Sequence, residues 1–546
     1  MRRINATAHR ELCERFKWQI PERFNFAVDV IDRWADDPAR LALIAREASG
    51  RERRFTFKDI SDLTKRLAGA LRNAGVRKGD RVVILLPRIA EWQLAMVGCL
   101  RLGAVPIPCV EMLTPKDIAY RVRHSGAKAA ITTAANVPKF ADLPALDVRM
   151  TVGEAPGWLE FWSQIKSQQE GFSGEEIEAE EPAILFYTSG STGNPKGVTH
   201  VARALFAWRV SAWYWLGLTE SDTMWCTADT GWSKAGTSIL FGPWSCGSAV
   251  FFYHGPFDAR QRLRLIQDYG VTVFCAAATE FRHIVALDLA DWSAPRLRLA
   301  VSAGEAVNPD VIQRWKTSTG VPLLEAYGQT ETLMTVLNYA FEPVHAGSMG
   351  KASPGTEIAV LSDSHDRLPA GERGQLALRL PNPQLMSGYW NDPERTRDAR
   401  TVADGVEWFL TGDLASIDEA GYVRYEGRVD DLINSAGYRI GPTEVENALI
   451  EHPAVLESAV AGAPDEERGE IVKAFVVLRP GFVGSEKLAK ALQEHVKRVT
   501  APYKYPRRIE FVQDLPKTPS GKLLRRLLRD QEYERAALPR NAGASQ

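Results

Sequence analysis

Apolar and polar positions along the chain switch repeatedly between two periods. In residues 57–76, Ile60, Leu63, Leu67 and Leu71 recur at helical spacing, and the run stops at Gly75. Residues 81–86 form a continuous apolar stretch closed by Pro87. Helical spacing returns over 91–102, and short strands are predicted at 105–108 and 128–132. Strands that are apolar throughout, with helices between them, predict a parallel sheet covered on both faces.

The alternation resumes further on. Strands are predicted at 183–186, 223–227, 249–253, 271–275, 298–302 and 322–325, with helices at 200–215, 258–269 and 309–319. From 347 to 418 the pattern changes to short β-like runs broken by Gly and Pro, which predicts a small antiparallel or barrel-like lobe. A compact α+β tail follows, with strands at 455–460, 471–478 and 508–512 and a helix at 485–499. Thr443 and Glu446 are spaced as a capping box opening another helix. The expected fold class is therefore α/β. A large N-terminal domain of parallel βαβ lobes plus the barrel-like lobe spans 1–427, a hinge 428–430, and a small mobile α+β domain 431–546.

Composition narrows the classes. At 546 residues the chain exceeds one ordinary domain. Its 67 Lys and Arg against 68 Asp and Glu argue against a nucleic-acid binder or a polybasic membrane protein. No run reaches the ~20 apolar residues of a spanning helix, and residues 1–19 lack the apolar core of a signal peptide. The six cysteines, at 13, 99, 109, 226, 246 and 275, form no CxxC pair, which predicts reduced buried thiols. Together these features lead to the expectation of a cytoplasmic enzyme.

The candidate chemistry begins after residues 183–186, where Thr188, Ser189, Gly190, Ser191, Thr192, Gly193, Asn194, Pro195, Lys196 and Gly197 follow one another. Small, hydroxyl-bearing residues and glycines let backbone N–H groups and hydroxyls turn toward one anion. A Walker A loop would require glycine at the position of Pro195, so the loop is not an ordinary P-loop and a phosphotransferase is disfavoured. Two further segments, 302–306 and 325–331, fall at the carboxyl ends of predicted strands, where open parallel sheets bind ligands. All three are expected to converge on one crevice.

Five motifs occur in order: 188–197, 327–331, 411–413, 427–439 and 519–522. Their sequence and spacing, over roughly residues 30 to 530, resemble the adenylate-forming superfamily and, within it, the medium-chain acyl-CoA synthetase branch. The resemblance implies a two-step reaction in which a carboxylate attacks the α-phosphate of ATP, giving acyl-AMP and pyrophosphate, and a thiol then displaces AMP. It implies ATP, Mg2+ and coenzyme A as cofactors and a small carboxylic acid as partner, with a homo-oligomer left open. By resemblance the 188–196 loop, with Lys196, wraps the phosphates, Thr330 touches the α-phosphate and Glu331 holds magnesium.

The same resemblance places Tyr327 beside the adenine, within the segment Glu325, Ala326, Tyr327, Gly328 and Gln329, and lets Gly304 and Glu305 line the purine site. Asp413 would accept from the ribose hydroxyls, with Arg428 reaching ribose or phosphate. Lys522 matches the catalytic lysine of the mobile domain, and Asp430 the hinge that carries it away between half-reactions. Ala436, Gly437, Tyr438 and Arg439 match the pantetheine tunnel, and Arg468 and Tyr505 match contacts to the CoA nucleotide.

Trp232, in Asp229-Thr230-Gly231-Trp232, matches a tryptophan bordering the acid. Gly328 stands where acetyl-CoA synthetases carry a pocket-closing tryptophan, which implies a medium-chain or aromatic acid. The family often carries prolines where Ala277 and Ala278 stand, a departure in the pocket wall. Two alternatives share most of these residues: an adenylating enzyme that loads the acyl group onto a carrier-protein thiol, and a non-catalytic nucleotide-binding module. The presence of Lys522, Glu331 and Asp413 together disfavours the second.

Overall fold

A parallel sheet and a mixed sheet with a parallel interior form the scaffold of the larger part of the chain, and local signals explain their helices. In the computed structural model the helix Phe57–Ala74 opens on a Thr56/Asp59 capping box and closes on Gly75, whose φ of 117° suits glycine. All twelve residues of the next helix, Ala90–Arg101, are buried, and its charged members Glu91 and Arg101 are paired with Arg53 and Asp32. The model describes all residues except 2, 6, 142, 144–145, 189–193, 346, 436–437, 466, 518–522 and 538–546. The side chains of 439 and 537 are likewise outside the description.

The chain divides into two compact units, Met1–Glu357 with Arg379–Thr401, and Ile358–Leu378 with Val402–Gln546. The boundary expected at 428–430 thus falls within the second unit, which groups the short-strand lobe with the C-terminal tail.

In the first unit, Val105–Pro108, Arg81–Leu85, Ala129–Thr133, Val148–Val152 and Leu159–Glu160 make a five-stranded parallel sheet. A nine-stranded sheet runs in the order Lys351–Ala352, Leu333–Leu337, Leu323–Gln329, Leu299–Ala303, Val273–Cys275, Thr223–Cys226, Ala249–His254, Leu41–Glu47 and Glu52–Thr56. Its inner strands are parallel and its outer pairings antiparallel.

The phosphate-loop region departs from expectation. Residues 200–215 do not form one helix. Lys196–Val201 is a strand, followed by the short helices Ala202–Ala207 and Arg209–Tyr214. The strand pairs antiparallel with Pro182–Thr188 on one side and Gly388–Tyr389 on the other, so cross-strand pairing overrides helical periodicity here. The loop therefore closes a β-hairpin and does not lie at the end of a parallel strand.

In the second unit, Ile358–Leu361, Arg373–Arg379, Val406–Ile417 and Val423–Arg428 build an antiparallel sheet. The tail sheet contains Tyr438–Ile440, Ile433–Ser435, Gly469–Leu478, Val455–Asp465 and Arg508–Phe511. Its helices Pro442–Ile450 and Glu486–Val499 bury Val445, Leu449, Leu492 and Val496 in one core. The first of these does not open on a Thr443/Glu446 capping box. Pro442, with its fixed φ, occupies the first helical position, and Gly441 becomes the N-cap. Glu446 instead turns inward to accept from Val460 N (2.9 Å) and from Arg525 (2.6 and 2.7 Å). The basic C-terminal helix runs from Arg525 to Ala537.

Candidate active site

Hairpin pairing brings Thr188 opposite Lys196. Asn194 and Pro195 are described, while Ser189, Gly190, Ser191, Thr192 and Gly193 lie outside the described residues. The Lys196 ammonium stands 5.5 Å from the centre of the Tyr389 ring. Tyr389 pairs with Val198 in the third strand and donates its hydroxyl to Glu331 Oε1 at 2.9 Å. The Met386 N–H donates to the Glu331 carbonyl at 2.8 Å.

From the same hairpin strand, His200 reaches Thr330. Complete burial pushes its pKa down to about 4, so the ring is neutral. Its partner is a carbonyl, which only accepts, so Nε2 carries the proton and donates to Thr330 O at 2.7 Å. Ser233 Oγ is 3.3 Å from Thr330 Oγ1. Lys196, Thr330 and Glu331 are thus joined through Tyr389 and His200. Thr330 and Glu331 lie in the turn between Leu323–Gln329 and Leu333–Leu337, not at a helix start.

Among the described residues no group of three or more His, Cys, Asp or Glu side chains could hold a metal. The donor set at Glu331, one carboxylate, fits magnesium bound chiefly by phosphate oxygens and water.

The segment expected to line the purine site is built from two neighbouring parallel strands, Leu299–Ala303 and Leu323–Gln329, which place Ala303 opposite Ala326. Gly304 follows with φ of 95°, a conformation that glycine adopts without strain. Glu325 is buried, and its Oε1 accepts from Val307 N at 2.7 Å. It therefore fixes the chain that runs on from Gly304 and Glu305. Burial raises its pKa to about 7.

Tyr327 is largely buried and pairs with Val336. The register then shifts at Gly328, where an added Cβ would lie 1.7 Å from the Leu333 carbonyl oxygen. Glycine is required here by backbone packing. The Gln329 N–H donates to Thr332 Oγ1 at 3.0 Å. In the 229–232 turn, Thr230 Oγ1 donates to Leu86 O at 2.7 Å, and a Cβ on Gly231 would meet Val110 N at 2.2 Å. Trp232, half-buried, ends this close-packed turn.

In the second unit, Asp413 is buried and lies opposite Arg428, which donates to Asp413 Oδ1 at 2.9 Å and to Thr411 O at 3.3 Å. Arg428 thus orients the Asp413 carboxylate. Thr411 Oγ1 donates to Leu376 O at 2.7 Å and accepts from Asp413 N at 3.1 Å.

Asp430 lies in the short 3-10 turn Val429–Asp431, and its carbonyl accepts from Arg529 at 3.0 Å. Tyr438 is exposed and stacks on Tyr503 at 4.4 Å. Tyr505 stands between the Lys497 ammonium at 4.2 Å and the Arg507 guanidinium at 5.0 Å. Arg468 lies in the turn immediately before Gly469 and donates its N–H to Asp465 Oδ1 at 3.1 Å. Ala436, Gly437, Lys522 and the Arg439 side chain lie outside the described residues.

The sequence reading missed His200, Tyr389, Ser233 and Lys234. No local motif marks His200 or Tyr389, because their roles come from pairing residues 196–201 with 388–389. Ser233 and Lys234 follow Trp232 directly, and that adjacency was the available signal.

A model of the AMP-binding enzyme family matches residues 31–390, and one of the AMP-binding enzyme C-terminal domain matches 444–522. The chain is 41% identical over 550 residues to the mitochondrial acyl-coenzyme A synthetase ACSM3 of Pongo abelii, covering 97% of this chain and 93% of that protein. Among solved structures it resembles the anthranilate CoA ligase AuaEII in complex with anthranoyl-AMP (TM-score 0.86, 33% identity, 95% and 99% coverage). It also resembles a Brucella canis acyl-CoA synthetase (TM-score 0.75, 35% identity, 97% and 99% coverage).

These likenesses overturn the expected cytoplasmic location, since ACSM3 and further relatives at about the same identity are mitochondrial. Compartment is set by targeting segments, and the composition of a catalytic body does not report it.

Proposed function

Because the chain belongs to the AMP-binding enzyme family and is an AMP-forming acid–CoA ligase, we propose that it activates a medium-chain or aromatic carboxylic acid through an acyl-AMP intermediate. The observation that carries the site assignment is the joining of Lys196, Thr330 and Glu331 through Tyr389 and His200. Two anions, a carboxylate and a triphosphate, must meet in the first step, so the chain's task is to position them and neutralise charge.

In this reading the hairpin loop and Lys196 hold the phosphates, and Thr330, fixed by His200, donates to the α-phosphate. Bound magnesium would supply charge neutralisation at the phosphate oxygens, and Glu331, oriented by Tyr389, would hold it. Tyr327, Gly304 and Glu305 receive the adenine, with Glu325 and Ala326 forming the strand beneath. Asp413, set by Arg428, accepts the ribose hydroxyls. Lys522 assists carboxylate attack, and rotation at Asp430 within 428–430 exchanges it for the thiol path of Ala436, Gly437, Tyr438 and Arg439. Arg468 and Tyr505 contact the CoA nucleotide; the cations flanking Tyr505 suit a phosphate-bearing ligand.

A tryptophan is absent at Gly328, and the structurally similar AuaEII acts on an aromatic acid. Both support an acid larger than acetate. The test is CoA-dependent release of AMP and pyrophosphate across acetate, butyrate, hexanoate, octanoate, dodecanoate and benzoate. Turnover is expected to peak at the medium-chain or aromatic acids. Acetate as the sole substrate would overturn the proposed acid class. Adenylation without transfer to CoA would point to a carrier-protein thiol instead.

A further inference from the structure

Lys234 follows Trp232 and Ser233 in a short helix, where two thiols, Cys275 and Cys226, and two carboxylates, Glu305 and Glu280, act on its ammonium. It makes a single hydrogen bond among the described residues, from Nζ to the Ala303 carbonyl at 3.0 Å, and no ion pair. An ammonium has three donors, so two remain for another acceptor. The residue is largely enclosed by protein yet keeps partial solvent contact. Its neighbour Ser233 lies 3.3 Å from the Thr330 hydroxyl, and Trp232 precedes both.

Burial works against the charge on Lys234, but Cys275, Cys226, Glu305 and Glu280 outweigh it and raise the pKa above the usual lysine value. The ammonium is therefore present at neutral pH. Cys226 and Cys275 are register partners on adjacent parallel strands. Glu280 is already engaged by Thr227 Oγ1 at 2.6 Å and Arg262 Nε at 3.0 Å. For Cys275, burial is outweighed by the Cys226 hydrogen bond, the Lys234 charge and Ser238, which together lower its pKa. With Glu305 and Glu280 already beside it, Lys234 suits a neutral acceptor better than a further carboxylate.

We propose that Lys234 is a specificity-determining residue whose two remaining donors hydrogen-bond an oxygen substituent on the acyl body of the acid, so that hydroxy- or oxo-substituted acids are preferred to unsubstituted acids of the same skeleton. The inference rests on the reading of Trp232 as the border of the acid pocket. A site with a buried donor discriminates against a ligand that leaves it unpaired far more strongly than an apolar wall discriminates by size.

The experiment compares kcat/KM for matched pairs, benzoate with hydroxybenzoates and hexanoate or octanoate with their hydroxy and oxo derivatives, in the native enzyme, Lys234→Met and Lys234→Arg. The native enzyme is expected to favour at least one substituted acid by about tenfold or more. Lys234→Met should bring that ratio to within about twofold, through loss of the substituted acid, with KM for ATP unchanged, and Lys234→Arg should retain part of the preference. The native ratio decides the matter even if a variant fails to fold, because preference for every unsubstituted partner would overturn the proposal. An unchanged ratio in folded Lys234→Met would overturn it as well, while leaving the ligase reading intact. Failure of the native enzyme to use any acid would overturn both.

Discussion

Glu325 illustrates how one carboxyl can be legible as part of a motif and still act differently from its neighbours. The sequence places it in the nucleotide segment, whereas in the fold its side chain is buried and accepts from Val307 N at 2.7 Å. Burial raises its pKa from 4.5 to about 7. Between those values the folded chain keeps a proton that the unfolded chain releases. The associated stability is full at low pH and is lost as pH rises through about 7, by on the order of 3 kcal/mol when complete.

Glu325→Gln keeps an acceptor oxygen for Val307 and has no proton to lose. The fall in melting temperature between pH 6 and 8 should therefore be smaller by a few degrees in the variant than in the native protein. Other titrating groups are common to both proteins, so their contributions cancel in the comparison. Thermal unfolding of the pair at both pH values tests this, and parallel pH profiles would refute the buried-carboxyl account.

At the scale of elements, the β-bulge at Gly328 bears most directly on the acid pocket. An added Cβ there would meet the Leu333 carbonyl at 1.7 Å, and Leu333 itself has a positive φ of 51°. Gly328→Ala should therefore cost several degrees of melting temperature and most of the adenylation rate with every acid, since the strained turn carries Thr330 and Glu331. If the glycine merely widened the pocket, alanine would leave stability unchanged and shift preference toward shorter acids. Melting curves and the acid profile of the same variant distinguish the two.

The parallel strands were readable because local and tertiary preferences agree there. The apolar run at 81–86 is buried as Arg81–Leu85, and the helix Pro309–Thr319 lies where its pattern puts it. The stretch after Lys196 was misread because Val198, His200 and Val201 satisfy either period, and only pairing with residues 182–188 and 388–389 selects the strand. For the same reason His200 and Tyr389 were invisible as supports of Thr330 and Glu331. Their partners are separated from them by 130 and 58 positions in the chain.

Across the whole molecule, the residues with assigned chemistry are divided between the two compact units. Lys196, Thr330 and Glu331 belong to the first, and Asp413, Arg428 and Lys522 to the second. This division gives the two half-reactions different requirements. In the proposed reaction Lys522 neutralises charge while the acid carboxylate approaches the α-phosphate, but acyl-AMP already contains the bond that step forms. Lys522→Ala should lower acid-dependent ATP–pyrophosphate exchange by about a hundredfold or more. It should leave formation of acyl-CoA from supplied acyl-AMP and CoA within about threefold of native, because thiol attack does not use that ammonium. Measuring the two half-reactions separately makes the comparison internal to one folded variant. Equal loss in both would show that Lys522 supports the general integrity of its unit, and would remove it from the adenylation step.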